Sequence, residues 1–182
     1  MLFVRLPAVI THRVQTGRWH SHPKLKGRFL ADHPNELLVI VHEGGPRMTS
    51  RRPEVVAVEV TGCEGEVFAG RILHQPIQLT SLRLGQRIQF IVPAAARFPM
   101  LVTEKYLQER SLWKIQPCKK CGFAELFDPP SELIPLLFPN SVAGASRESF
   151  KTACALCGGP QTVLAKADQR ELHATAGKKR PR

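Results

Sequence analysis

No stretch of this 182-residue chain approaches the roughly 18 apolar residues that a membrane-crossing helix needs. The opening MLFVRLPAVITHRV is broken by Arg5 and Pro7 and has no small-residue cleavage site, so it does not read as a secretory leader. Phosphate loops of the Gly-x-x-x-x-Gly-Lys form, Gly-x-Ser-x-Gly elbows and His-Glu-x-x-His helices are all missing. These absences argue against a helical membrane protein and leave no acid, base and nucleophile set on which to build an enzyme. No small-molecule substrate is evident. Acidic residues are absent from the first 31 positions, where several arginines stand. Organellar transit peptides share that composition, but the expected setting is the bacterial cytoplasm.

Hydrophobic residues make up 43% of the chain and charged residues 23%, enough to bury a core and unlike a disordered tail. Fifteen prolines and thirteen glycines divide it into short segments, which favours strands and turns over long helices. The formal charge is +11 and is unevenly placed. Residues 1–53 hold nine basic against three acidic side chains, and 162–182 hold six against two, while 54–100 balance. Such a field attracts nucleic acid, although basic ends also serve solubility alone.

The pattern along the chain predicts a mainly β protein with short helices (α+β). Leu37 to Val41 form a short β-branched run closed by Gly44, Gly45 and Pro46. Glu54 to Val60 form a second, followed by TGCEGE as a turn, and a third strand resumes at Val67. After a turn at Gly85, Ile88, Phe90 and Val92 share one face of a strand, with Arg87, Gln89 and Ile91 on the other. This spacing indicates a small antiparallel sheet or barrel over 1–98. Thr103 is placed to cap a helix containing Tyr106 and Leu107, and Ser131 to cap a short apolar helix distorted by Pro135. Residues 167–182 read as a basic, disordered tail.

The most specific signal is a pair of Cys-x-x-Cys-Gly units, Cys118–Cys121 and Cys154–Cys157, separated by 32 residues. In such a knuckle, backbone N–H groups point at the sulfurs, and glycine after the second cysteine takes a positive φ without a Cβ penalty. SFKTAC and GGPQTVLAK flank the second unit as strands of a hairpin would, and LWKIQPC leads into the first. The arrangement resembles the zinc-ribbon family. That resemblance implies one structural Zn²⁺ per chain on Cys118, Cys121, Cys154 and Cys157, within a module spanning 99–166 with an inserted short helix. Iron held as in rubredoxin, and redox-active cysteine pairs, are the alternatives; CALCGGP is a poor helix start for the latter. Cys63 has no partner in sequence and reads as a turn or core residue.

The segment EVVAVEVTGCEGEVFAGRILHQPIQLTSLRLGQRIQF resembles the YegJ-like family of small bacterial domains of unknown function. The likeness rests on Glu54, Val58 and Val60, the Glu64–Gly65 turn, Gly70 with Ile72 and Leu73, Pro76, Leu79 and Leu82, Gly85, and Ile88 with Phe90. With KLKGRF it covers about residues 24–92. Val55 and Ala57 stand where that family usually carries His and Trp. The resemblance implies a fold and no chemistry.

The leading expectation is a non-enzymatic, zinc-stabilised binding protein with nucleic acid or a ribonucleoprotein as target. Its candidate contacts are Arg47, Arg51, Arg52, Lys119, Lys120, Lys178, Lys179 and Arg180, with Lys119 and Lys120 at a knuckle tip. The alternative is a protein–protein adaptor docking through the apolar segment 131–138, and the third reading is a Cys-x-x-Cys redox protein. His20 with His22, and His42 in HEGG, are weak ligand candidates that more often are surface residues. Trp19 and Trp113 are candidates for base stacking, with core packing the commoner role.

Overall fold

Nine strands and two α-helices make up the described part of the computed structural model, residues 18–94, 96–140 and 147–166. The strands are β1 (Phe29–Leu30), β2 (His33–Val41), β3 (Glu54–Glu64), β4 (Val67–Ile72), β5 (Arg87–Ile91), β6 (Met100–Val102), β7 (Trp113–Ile115), β8 (Ser149–Ala153) and β9 (Pro160–Ala165). Helix α1 (Glu104–Arg110) separates β6 from β7, and α2 (Pro130–Leu137) lies between β7 and β8. No helix among the described residues is long and apolar enough to cross a membrane. The expected tail at 167–182 lies outside the described residues.

Strands β2 to β6 follow one another as antiparallel neighbours, and β6 then pairs with β2. An odd number of strands in an up-and-down sheet leaves the first and last pointing the same way. The closing pair is accordingly parallel, with Ile40 opposite Met100 and the Ile40 N–H donating to Pro99 O at 2.8 Å. The short β1 covers the other end of the same β2 edge, pairing Phe29 with Leu37.

Alternation along the strands sorts apolar residues into two cores. Leu37, Val39 and Val41 of β2, Val56, Val58 and Val60 of β3, and Ile88 and Phe90 of β5 fill the barrel with Leu101 of β6. Their neighbours Ile40, Ile91, Met100 and Val102 point outward into a second core with Tyr106, Trp113, Phe123, Phe127, Phe150 and Val163. Ile91, on the strand face shared with Arg87 and Gln89, is buried because the outside of β2, β5 and β6 is covered by the rest of the chain. The expected division at 98/99 puts β6 with the C-terminal module, whereas its pairing places it in the barrel.

β3 does not stop at Val60. It runs on to Glu64 through an irregularity between Val60 and Gly62, and the reversal is made at Gly65, whose φ is +56°. Gly70 is required by close packing: a Cβ there would collide with Val58 Cγ1 and lie 3.1 Å from Phe90 Cε1. Glu54, at the start of β3, accepts hydrogen bonds from Ile77, Gln78 and Leu79 N–H at 2.8, 2.6 and 3.2 Å. These bonds outweigh the effect of burial and hold its carboxyl below the usual range, while pinning the loop between β4 and β5.

β7, β9 and β8 form a second, three-stranded antiparallel sheet in that order. Thr103 caps α1 as expected, its hydroxyl accepting from Tyr106 N–H at 3.1 Å. Ser131 does not cap α2. The helix begins at Pro130, where a missing N–H costs nothing, and Glu109 of α1 accepts from the Ser131 N–H at 2.8 Å.

Candidate metal centre

The two Cys-x-x-Cys turns stand at one end of the three-stranded sheet, just beyond β7 and between β8 and β9. Each is closed by the same backbone pattern. In the first, Cys118 N–H donates to Phe123 O at 2.9 Å and Gly122 N–H to Cys118 O at 2.8 Å. In the second, Cys154 N–H donates to Gly159 O at 2.7 Å and Gly158 N–H to Cys154 O at 2.9 Å. Gly122 and Gly158 take φ values of +76° and +69°, the left-handed conformation expected of them.

The four ligand sulfurs lie within 4.8 Å of one another. Cys118 Sγ is 3.5 Å from Cys157 Sγ, and Cys121 Sγ is 3.6 Å from Cys154 Sγ. A tetrahedral ion with metal–sulfur bonds of about 2.3 Å places its sulfurs about 3.8 Å apart, so the cage is of the right size. All four cysteines are free thiols, and each knuckle adds an N–H aimed at sulfur: Lys120 to Cys118 and Gly159 to Cys157, both at 3.4 Å. Burial disfavours the Cys118 thiolate but is outweighed by the N–H groups of Cys121 and Lys120, bringing the thiol down to about 7. Burial pushes Cys154 up to about 12. The four thiols together form a possible metal-binding site.

Gly159 does more than continue a turn. A Cβ there would sit 2.9 Å from Lys120 Cβ and 3.0 Å from Cys118 Sγ, so the second knuckle reaches the first only because this position is bare. Cys63 is far from this chemistry in role, packing half-buried against the barrel core.

Behind the first knuckle, segment 123–128 is anchored by buried polar groups. Gln161 donates to Phe123 O at 2.9 Å. Glu125, buried, accepts from Tyr106 Oη at 2.5 Å and from Arg110 Nε at 2.8 Å. The same segment meets the barrel through HEGG. His42, buried at the end of β2, stacks on Phe127 with ring centres 3.9 Å apart and planes 2° from parallel. Its Nδ1 accepts from Gly44 N–H at 3.2 Å, which leaves Nε2 protonated and donating to Leu101 O at 2.9 Å. Burial lowers this imidazole to about 4, so it is neutral. Asp128 Oδ2 accepts from Gly45 N–H at 2.8 Å. His42 is therefore a joint between the barrel and the four-cysteine part of the chain, and its sequence signal was only the unusual HEGG after an apolar strand.

Of the expected cationic contacts, Arg47, Arg51, Arg52, Lys119 and Lys120 are exposed. Arg51 is engaged within the fold, 3.0 Å from Glu43 and hydrogen-bonded to Thr80. Lys178, Lys179 and Arg180 lie outside the described residues. Trp113 is a core residue packed edge-on to Phe150, and Trp19 lies partly buried against the barrel. His20 stacks on Phe29 and His22 meets Phe68 edge-on. Among the described residues the four cysteines are the one cluster that could hold a metal.

The class defined by fold and site is a mainly β protein carrying a four-cysteine cluster that could hold a metal ion. No protein-family model matches the chain, and neither does any curated protein or solved structure. The likeness of residues 24–92 to the YegJ-like domains therefore rests on the residue pattern alone.

Proposed function

We propose that Cys118, Cys121, Cys154 and Cys157 hold one structural zinc ion per chain in a zinc-ribbon module, and that the protein is a non-enzymatic binder of nucleic acid or a ribonucleoprotein. The observation that carries the zinc reading is the fit of the sulfur cage, because paired knuckles with four thiolates are a structural zinc arrangement. The ion neutralises part of the thiolate charge and ties the segment after β7 to the β8–β9 hairpin. The nucleic-acid reading is supported by the +11 charge and by Arg47, Arg52, Lys119 and Lys120, which are exposed. Arg47 lies beside the second knuckle, bordering a small cleft with Ala153 and Ala155, while Lys119 and Lys120 occupy the tip of the first.

The competing readings receive less support. In segment 131–138, Leu133 is buried and Ile134, Leu137 and Phe138 pack against the second core, leaving Leu136 as the half-exposed apolar residue. Neither Cys-x-x-Cys pair stands at a helix start, so a redox reading has only the lowered Cys118 thiol in its favour.

Protein purified without added metal should carry one zinc per chain, and Cys154→Ser should lose it. Single-stranded oligonucleotide should bind with strong salt dependence. Each phosphate contact contributes about 0.7 to the slope of log affinity against log salt, so replacing Arg47, Arg52, Lys119 and Lys120 with alanine should flatten it by about 3. Iron in place of zinc would overturn the metal assignment. Salt-independent retention, or loss of a protein partner in Leu136→Asp with the metal retained, would favour the adaptor.

A further inference from the structure

The three-stranded sheet ends on β8, and that edge is open. Which backbone groups face outward follows from the bonds at the two ends of the strand. Glu148 O accepts from Ala165 N–H at 2.8 Å, and Cys154 N–H donates to Gly159 O at 2.7 Å. In an antiparallel pair every second residue bonds its neighbour, so the backbone groups of Phe150 and Thr152 face β9. Those of Ser149, Lys151 and Ala153 point the other way, and none has a partner among the described residues. The opposite edge, β7, is only three residues long and lies against α1.

Three N–H and three C=O groups in a row form a template for a further strand. The side chains around them restrict what that strand can be. By alternation Lys151 shares its face with Ser149, and the register carries the same face across β9 to Lys114 on β7. Both lysines are exposed. Glu148, just before β8, falls on the opposite face. On that side Thr152 and Ala153 border a cleft with Pro46, Leu133 and the exposed Arg47, where Asp128 is held by Gly45 N–H. The cleft has a volume of about 10 Å³, which suits a small side chain.

A second copy of this chain fits the edge poorly. Antiparallel pairing of β8 with itself, centred on Lys151, sets that lysine directly opposite its equivalent, and two chains of charge +11 repel. The lysine that excludes a second copy attracts a strand of the opposite sign.

We propose that β8 takes an extended acidic segment of a partner protein as a fourth, antiparallel strand. Its carboxylates lie on the Lys151 face and its small apolar residues on the Thr152 face. This inference does not depend on the nucleic-acid reading above and adds a protein partner to it.

The test uses the full-length, metal-loaded protein and amide hydrogen exchange followed by NMR. In the free protein Ser149, Lys151 and Ala153 should exchange rapidly, and Phe150 and Thr152 slowly. The probe is a seven-residue peptide of alternating glutamate and valine, which at saturation should slow the three outward amides at least tenfold. Opposite Lys151, the glutamate N–H groups face β8 and the valine N–H groups face away. Methylating the glutamate nitrogens should therefore weaken binding at least tenfold, and methylating the valine nitrogens should not. Ser149→Pro removes one edge donor at the first residue of the strand, where proline is tolerated, and should weaken binding about tenfold with metal content unchanged. If that variant fails to fold, the methylated peptides decide the matter on the unaltered protein. Failure of the acidic peptide to bind, or equal binding of its glutamate-methylated form, would overturn the proposal. Binding that leaves the three amides unprotected would place the contact elsewhere and overturn it too. Protection of the same amides by oligouridine would assign the edge to nucleic acid instead, and protection that rises with protein concentration alone would assign it to a second copy.

Discussion

His42 makes the stability of this protein sensitive to mild acid, and the size of the effect follows from its surroundings. Burial beneath Phe127 lowers its folded-state pKa to about 4 from the ordinary 6.5. The unfolded chain takes up a proton below pH 6.5 that the folded chain refuses until pH 4. His42 therefore contributes its full stability above pH 6.5 and loses it progressively as pH falls towards 4. Each unit of difference is worth about 1.4 kcal/mol, so the whole interval amounts to about 3 kcal/mol and the span from pH 6.5 to 5 to about 2 kcal/mol. That is a sizeable part of the 5–15 kcal/mol typical of a folded domain. The comparison variant is His42→Gln, whose amide can accept from Gly44 N–H and donate to Leu101 O but does not titrate. Urea unfolding of the metal-loaded proteins at pH 6.5, 6 and 5 should show the unaltered protein losing about 2 kcal/mol more than the variant. Restricting the range to pH 5 and above keeps most carboxylates out of the comparison, and metal content measured at each pH keeps the thiols out. Equal losses in the two proteins would refute a buried neutral His42.

Three further perturbations test other parts of the fold. Gly159→Ala puts a methyl group 3.0 Å from Cys118 Sγ, so metal affinity in a chelator competition should fall at least tenfold while the secondary structure, read by circular dichroism, is unchanged. Glu125→Gln removes the carboxylate that Tyr106 and Arg110 share. Arg110 keeps 40% of its side chain exposed and can rehydrate, so the loss in chemical denaturation should be about 3 kcal/mol, near the lower end for a broken buried pair. Gly70→Ala forces a Cβ against Val58 and should cost about 1–3 kcal/mol by overpacking; a neutral result would mean that β3 and β4 can separate there.

Much of the candidate site was legible in the sequence because its information is local. A Cys-x-x-Cys-Gly turn sets its own backbone geometry, so Gly122 and Gly158 could be assigned a positive φ from their positions alone. The strands around Val39, Val58 and Phe90 were legible for the same reason, since alternation is a property of neighbouring residues. Ser131 misled because a serine before an apolar run is the ordinary cap, while the group that meets its N–H, Glu109, comes from another helix.

What the sequence determined by itself was the class of structure and the four sulfurs: short strands, glycine turns, and two knuckles with equivalent ligands. What only the tertiary structure decided was how these pieces meet. Nothing local says that an odd strand count closes with Ile40 beside Met100, that Ile91 faces a second core, or that Arg51 is taken up by Glu43. His42 and Asp128 belong to the same class of fact, because each acquires its role from residues between about sixty and eighty positions away in the chain. Burial and hydrogen-bond partners across such separations depend on which surfaces pack together, and that is settled by the free energy of the whole core rather than by any segment's own pattern.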